Sequence, residues 1–363
     1  METNFSLREL NTFGFDVKTR YFQELKSMDD IRELIDNPEF IQCRDAIHRV
    51  LILSGGSNIL FSDEFYDGFV VYPNLKGIET LEENDETVKI RCYCGEIWKD
   101  FVDYTVSRKL YGLENLADIP GKVGAAPVQN IGAYGAEVKD TVYQVHTIDL
   151  KTGDIRVFSN NECEFSYRNS ILKKFGVWSL KCGVFPLIFA VDFVLKKHGE
   201  LKLDYGNIRN YLINSKITNP TIQDVAATVK TIRAEKLPEV GVVGSVGSFF
   251  QNAIVPMEKY LEIKELYPDV PSYPVTTETN EIPPLPSVGR NDVKIPSGWL
   301  IDRADWKGYR EGHVGVWDKQ ALVLVHYGGG KPQEILDLMK KIQDSVYKKF
   351  GIEIKPEVNI VRS

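Results

Sequence analysis

The run PGKVGAAPVQNIGAYGAEV, residues 120–138, constrains this chain more than any other segment. It carries four glycines, Gly121, Gly124, Gly132 and Gly135, and few side chains fit for catalysis. Glycine adopts positive φ at little cost and has no Cβ, so backbone can come close to something flat or phosphorylated. A second bend of the same kind, Gly55-Gly56-Ser57-Asn58, follows the strand-like run Val50–Leu53. Consecutive amides in such a bend form a concavity that binds anions. Neither bend reads G-x-G-x-x-G, and neither is a Walker A loop. Two readings stand side by side. The bends are tight turns that pack elements or domains together, or they grip one extended ligand from two sides. A dinucleotide such as FAD suits the second reading, because its pyrophosphate needs N–H donors and its ring needs close approach.

A length of 363 residues allows two or three domains with a large core. The formal charge of -7 argues against nonspecific nucleic-acid binding, which needs clustered Lys and Arg. It leaves room for a small anion held by a local basic cluster. The N-terminal residues show no signal-peptide pattern, and the apolar run Val184–Leu195 is too short to span a membrane and is broken by Asp192. A cytoplasmic protein is expected, with no membrane or nucleic-acid partner. The five cysteines, Cys43, Cys92, Cys94, Cys163 and Cys182, form no C-x-x-C pair and read as buried reduced thiols. Cys92 and Cys94 are expected to share one face of a strand. The five histidines lack metal-ligand spacing, so no metal site is expected.

Along the chain the pattern is mixed α and β. An Asp at Met28-Asp29-Asp30 is expected to cap a helix carrying Ile31, Leu34 and Ile35. Strands are expected at Val50–Leu53, Phe69–Val71, Val88–Cys94, Val142–Leu150, Ile155–Phe158, Phe189–Lys196 and Ala321–His326. Helices are expected at Trp98–Ser107, at Thr221–Lys236, from near Pro256, and at Gly298–Lys307 with Ser297 as cap. The last helix, Pro332–Phe350, has Pro in its first turn, a single apolar face and Gly351 past its end. Residues 268–296 hold seven prolines and read as a long irregular loop. The tail Ile352–Val361 is strand-like and is expected to return to an earlier sheet.

Three further segments carry candidate chemistry. In Phe165-Ser166-Tyr167-Arg168-Asn169-Ser170 the arginine can fork onto a carboxylate or phosphate, or sit on the surface. In Gly247-Ser248-Phe249-Phe250-Gln251-Asn252 the serine lacks a nucleophile elbow. It is either a turn or helix cap, or a proton donor to a strong carbon base. Glu357, in Lys355-Pro356-Glu357-Val358, is solvated unless the tail folds back to a site.

Taken together, LSGGSNILF (53–61), GLENLADIPGKVG (112–124), QNIGAYGAEV (129–138), FSYRNS (165–170), GSFFQN (247–252) and SGWLIDRADWKG (297–308) resemble the UDP-N-acetylenolpyruvoylglucosamine reductase family. The match runs from Asn11-Thr12-Phe13-Gly14 to Pro356-Glu357-Val358, and Leu203-Asp204-Tyr205-Gly206 resembles the tyrosine loop of the type I form. The resemblance implies a three-domain α/β and α+β flavoprotein. A two-part FAD-binding region of the PCMH type would comprise residues 1–77, completed by the tail 350–363, and residues 78–238. A substrate-binding α/β domain would follow at 239–349.

The resemblance also implies a reaction. NADPH reduces FAD, and hydride then passes to the enolpyruvyl ether of UDP-N-acetylglucosamine, giving UDP-N-acetylmuramate for peptidoglycan. Matching positions make Arg168 and Glu357 the groups that stabilise the enolate, and Ser248 the proton donor. FAD contacts would come from Gly55, Gly56, Ser57, Asn58, Pro120, Gly121, Gly124, Ala125, Ala126, Gln129, Asn130, Gly132, Ala133, Tyr134 and Gly135. Nucleotide-sugar contacts would come from Tyr205, Lys236, Asn252, Tyr273 and Gln320, in a monomer. Ala125-Ala126 stand where relatives often carry serines, so backbone N–H groups there are expected to hold the pyrophosphate. The proline-rich stretch 274–293 looks like an insertion. The competing readings are another FAD-dependent oxidoreductase of the PCMH-type fold and a nucleotide-sugar binding protein without turnover.

Overall fold

The computed structural model describes residues 1–46, 49–174, 185–239, 241–275 and 292–362. Cys182 and residues 276–291 of the proline-rich stretch lie outside the described residues. The chain divides into two compact units. The first comprises Met1–Phe5, Thr19–Gly55 and Asp67–Arg233; the second comprises Ser6–Lys18, Gly56–Tyr66 and Ala234–Ser363.

The first unit is built on two sheets. One has the strand order Glu2–Ser6, Lys18–Leu25, Phe65–Pro73, Val50–Ile52, the last two parallel with Val50 opposite Phe69. The other is a five-stranded antiparallel sheet in the order Ile155–Ser159, Val142–Asp149, Pro186–Lys196, Thr87–Tyr93, Ile78–Glu83. The strand Thr87–Tyr93 alternates half-buried and buried residues, as one apolar face requires. The helices Trp98–Ser107 and Ile222–Lys236 pack into the same core as this sheet through Trp98, Phe101, Val102, Val225, Val229 and Ile232. Burial of each such side chain contributes about 1.5–3 kcal/mol.

A smaller core gathers Leu25, Ile31, Leu34, Phe40, Phe69 and Val71 around the first sheet. The helix Met28–Ile35 is capped by Ser27 rather than by an aspartate. The Ser27 side chain accepts from the Asp30 amide, and the Asp30 carboxylate accepts from the Ser27 amide, so both ends of a capping box are made. Cys92 belongs to the large core and Cys94 to the small one, because Cys94 stands past the strand's end. Cys43, Cys92, Cys94 and Cys163 are free and buried. Burial pushes the Cys94 thiol up to about 11 and the Cys163 thiol up to about 12.

The second unit holds an antiparallel sheet in the order Gly244–Ser248, Val323–His326, Val314–Val316, Arg310–Glu311. A three-stranded sheet joins Ala253–Pro256, Asp292–Ile295 and Tyr273–Pro274. The helix Pro332–Phe350 buries Ile335, Leu338, Ile342, Val346 and Phe350, and Gly351 ends it at φ +66. Ser297 does not cap the next helix from outside. It is the first residue of Ser297–Arg303, and its hydroxyl donates to the Gln251 carbonyl at 2.5 Å. The tail forms a strand only at Asn359–Val361, which pairs in parallel with Ile59–Phe61.

Candidate functional site

In the first unit the two glycine bends meet. A Cβ on Gly55 would lie 2.7 Å from the Gly121 Cα and 3.4 Å from the Lys122 nitrogen, so main chain faces main chain. Gly121 holds φ +123, which a side chain would resist. Part of the space that glycine leaves is therefore filled by the protein itself. Gly124 shows the same, since its Cβ would stand 2.6 Å from that of Cys94.

The amides of Gly124, Ala125 and Ala126 donate to the carbonyls of Cys94, Lys122 and Val123 at 3.0, 3.0 and 3.1 Å. The alanine amides expected to receive a pyrophosphate are thus used to close a turn. Among the described residues, the amides of Gly55, Gly121 and Lys122 make no hydrogen bond. These donors remain available where the bends touch, and they are half-buried or buried. Pro120, one residue earlier, brings no N–H group.

The rest of the glycine-rich run forms a short hairpin, Gly132–Ala133 against Ala136–Glu137. Asn130 is fully buried and wired on every side. Its side-chain nitrogen donates to Glu137 Oε2 and the Ser166 carbonyl at 3.0 and 3.1 Å, and its oxygen accepts from the Lys139 amide at 3.1 Å. This fastens the hairpin to the turn at 166–169, where Ser166 and Asn169 exchange backbone hydrogen bonds of 3.0 and 3.1 Å. Arg168 occupies that turn at φ +55. A Cβ on Gly132 would meet Glu137 Cγ at 3.0 Å, the Ala136 carbonyl at 3.1 Å and one Arg168 guanidinium nitrogen at 3.3 Å, so all three crowd the space glycine leaves. Gln129 is half-buried just before Asn130.

The tyrosine loop lies against the same hairpin. Tyr205, 54% exposed, comes within 3.3 Å of a Cβ built on Gly135, and Tyr134 fills the space over Gly206 at 2.4 Å. Asn115, buried, bridges the two segments: its amide nitrogen donates to the Tyr134 carbonyl at 2.9 Å and to the Lys202 carbonyl at 2.8 Å. Sequence reading gave Asn115 no role.

It also passed over two desolvated cations. Burial lowers the Arg233 pKa, and its Nε donates to the Asp118 carbonyl at 3.1 Å. Lys122 is 8% exposed; its ammonium donates to Asn74 Oδ1 at 2.9 Å and lies 3.7 Å from the Tyr72 ring centroid. Neither forms an ion pair among the described residues. A buried cation without a carboxylate is costly unless an anion arrives.

In the second unit the tail does return. The Glu357 amide donates to the Phe249 carbonyl at 2.8 Å, and the Gln251 amide donates to the Lys355 carbonyl at 2.9 Å. Glu357 therefore lies beside the strand Gly244–Ser248, whose last residue, Ser248, is exposed. A bulge between Ser245 and Ser248, with Gly247 at φ +72, re-aims the end of the strand. Phe249 and Phe250, both buried, anchor the residues that follow.

Asn58 of the first bend is tied to this tail. Its amide nitrogen donates to the Glu357 carbonyl at 3.4 Å, and its carbonyl accepts from the Asn359 amide at 3.1 Å. Gly56, at φ +61, abuts Leu10 and Asn11, and its carbonyl accepts from the Thr12 amide at 3.1 Å. Ser57 lies between Gly56 and Asn58 and is half-buried.

Asn252 Oδ1 accepts from the Ser297 amide at 3.2 Å, and Gln320 Oε1 stands 3.1 Å from where a Gly298 Cβ would be. These two therefore meet at the start of the helix Ser297–Arg303. Tyr273 is 46% exposed at its sheet edge, and Lys236 is exposed at its helix end. Arg168 and Tyr205 thus belong to the first unit, while Ser248, Glu357, Asn252, Tyr273, Gln320 and Lys236 belong to the second. Among the described residues, no three His, Cys, Asp or Glu side chains converge as a metal site would require.

The arrangement fits a dinucleotide. Amides without partners at the bends and two desolvated cations are what a pyrophosphate and a polarisable ring would use.

Comparison with known proteins gives the same direction. A family model described as FAD binding domain matches residues 24–159, and one described as UDP-N-acetylenolpyruvoylglucosamine reductase, C-terminal domain, matches residues 237–361. The crystal structure of UDP-N-acetylenolpyruvylglucosamine reductase from Thermus caldophilus shares the fold, with a TM-score of 0.63 at 18% identity over 98% of this chain and 97% of that one. The Flavobacterium johnsoniae UDP-N-acetylenolpyruvoylglucosamine reductase is 37% identical over 99% of each chain. The Bacteroides fragilis (strain YCH46) enzyme of that name is 41% identical over 99% of this chain and all of its own. With this identity sustained end to end, the chain belongs to the UDP-N-acetylenolpyruvoylglucosamine reductase family.

Proposed function

We propose that this chain reduces the enolpyruvyl ether of UDP-N-acetylglucosamine to UDP-N-acetylmuramate in peptidoglycan precursor synthesis, with NADPH as electron donor. When bound, FAD supplies the hydride chemistry. Residues 1–77, completed by the tail 350–363, and residues 78–238 hold the dinucleotide, and residues 239–349 the nucleotide sugar, in a cytoplasmic monomer.

The observation that carries this reading is the return of the tail, which sets Glu357 alongside Phe249, next to Ser248. Ser248 protonates the carbon next to the carboxylate. A serine hydroxyl is a weak acid, so it gives up its proton only to the strong carbon base that exists after hydride transfer. Arg168 and Glu357 stabilise the enolate, Arg168 by pairing with the carboxylate oxygens. Stabilisation concentrated on that transient charge raises the rate, where equal binding of substrate would not. Tyr205, Lys236, Asn252, Tyr273 and Gln320 orient the nucleotide sugar. The amides of Gly55, Gly121 and Lys122 hold the cofactor's diphosphate, with Gly132, Ala133, Tyr134 and Gly135 along its remaining length.

The test is spectroscopic. The purified holoprotein should be yellow, bleach under anaerobic NADPH, and regain colour only when the enolpyruvyl nucleotide sugar is added. Recolouring by UDP-N-acetylglucosamine alone, or a protein that NADPH cannot bleach, would refute the assignment.

A further inference from the structure

Lys122 is a lysine where a lysine is expensive. It is 8% exposed, and no carboxylate among the described residues lies within ion-pair distance of its ammonium. Its surroundings come from four directions. Tyr72 offers a ring face, with the ammonium 3.7 Å from the centroid, and Asn74 Oδ1 accepts at 2.9 Å. Glu24, on the strand Lys18–Leu25, is engaged by the Asn74 amide at 2.5 Å and by Lys26 at 3.1 Å. Cys94 is a neutral thiol at pH 7. Lys76 adds a like charge, itself bonded to the Gly95 carbonyl at 2.5 Å and 3.7 Å from Glu96. The balance around the ammonium leaves a cation without a matched anion.

Its own backbone supplies the second observation. The Lys122 amide makes no hydrogen bond among the described residues, and neither do those of Gly55 and Gly121 beside it. An extended lysine reaches only roughly 6 Å from its Cα. An anion on the Lys122 amide would therefore lie within about 10 Å of the ammonium, comparable with the ~8 Å screening length, and burial weakens that screening.

We propose that the Lys122 ammonium is a fixed counter-charge for the diphosphate of FAD, seated behind the Gly55–Gly121 contact, and that it makes cofactor retention depend on pH. This rests on the flavin-binding assignment above. Burial, then the Lys76 charge, brings the ammonium's pKa down to about 8. Two opposite pH trends follow. Below pH 8 the folded apoprotein carries the full cost of a buried charge. Between about 8 and the ordinary 10.5 the folded chain sheds a proton that the unfolded chain keeps, so apoprotein stability from this group rises with pH. FAD affinity does the reverse. The diphosphate favours the charged lysine and raises its pKa, so affinity is greatest below pH 8 and falls as pH climbs above it.

The experiment titrates deflavinated protein with FAD, following flavin fluorescence from pH 7 to pH 10, in the parent, Lys122→Met and Lys122→Arg. The parent should hold its affinity to about pH 8 and then weaken by roughly tenfold or more. Lys122→Met should bind FAD about 10- to 100-fold more weakly at pH 7, with no decline of this kind above pH 8. Lys122→Arg should bind like the parent at pH 7 and keep its affinity to pH 10, because guanidinium stays charged. The melting temperature of apo Lys122→Met should equal or exceed the parent's, since an uncompensated charge has gone. The proposal is overturned if Lys122→Met matches the parent in affinity or in pH profile. It is also overturned if the Met variant loses FAD together with apoprotein stability, which would make the lysine a structural prop. A parent that binds no FAD at any pH would refute the flavin-binding assignment itself, and the counter-charge with it.

Discussion

The two units hold their candidate residues with different materials. In the first, backbone does most of the work: Gly55 and Gly121 touch main chain to main chain, Gly132 yields space to Ala136, Glu137 and Arg168, and Gly135 to Tyr205. In the second, paired backbone serves to project side chains. The tail's hydrogen bonds with Phe249 and Gln251 set Glu357 beside the residue that follows Ser248. Each material suits its task. A diphosphate or a flat ring is gripped by many weak, fixed donors, whereas a proton must come from one group in one place. Substitutions should therefore separate cofactor retention from chemistry.

Ser248→Ala offers the sharpest separation. The variant should fold, stay yellow and be bleached by NADPH at the parental rate. Its reoxidation by the enolpyruvyl substrate should slow by a factor of about 10² to 10⁴, the usual worth of a positioned acid. Stopped-flow absorbance reads both half-reactions separately. Parental reoxidation would remove Ser248 from the chemistry and leave the second unit without its proton donor.

Glu357→Gln comes next, at about 10²-fold on the same half-reaction. Glutamine keeps the tail's backbone bonds to Phe249 and Gln251, so the tail should still return. An effect confined to NADPH oxidation would mean that Glu357 serves a different step.

Gly55→Ala attacks the other material. Its Cβ would meet Gly121 main chain at 2.7 Å, where no flexible side chain can give way. About 1–3 kcal/mol of stability should be lost, as in overpacked cores. The amides of Gly121 and Lys122 would shift with it, so FAD should be released on gel filtration while any retained flavin turns over normally. A fully flavinated, slow variant would erase the distinction between the two units.

Much of this was legible in sequence where the signal is local. Pro332, one apolar stripe and Gly351 bound the last helix to the residue. The alternation at Val88–Cys94 marked a strand for the same reason, and the strand observed is Thr87–Tyr93. What escaped depends on contacts distant in the chain. Ser27 caps its helix through a reciprocal bond with Asp30, and reading only the acidic pair hid it. The glycines were legible as a group, yet part of the space they leave is taken by protein. The amides of residues 124–126 turn inward, and those of Gly55, Gly121 and Lys122 stay open. Lys122 looks like a surface cation until tertiary structure buries it, and Arg233 until its half-buried guanidinium is desolvated. The parallel pairing of Asn359–Val361 with Ile59–Phe61 spans nearly the whole chain and leaves no local trace.

Asn115→Ala should have the smallest effect and probes the exception to the contrast, a side chain that works for the backbone-built unit. One amide nitrogen holds the Tyr134 and Lys202 carbonyls together and so keeps the hairpin beside the Tyr205 loop. Truncation leaves two part-buried carbonyls short of a donor, at about 1–2 kcal/mol. The bends at Gly55 and Gly121 are not bonded to Asn115, so FAD affinity should hold. The Tyr205 loop would sample positions away from Gly135, so KM for the nucleotide sugar should rise several-fold while kcat changes little. Asn115→Asp should not rescue, because a carboxylate cannot donate to either carbonyl and would repel both. Equal losses in KM and in FAD affinity would show that hairpin and bends move as one body, and that the first unit holds both ligands with a single piece of backbone.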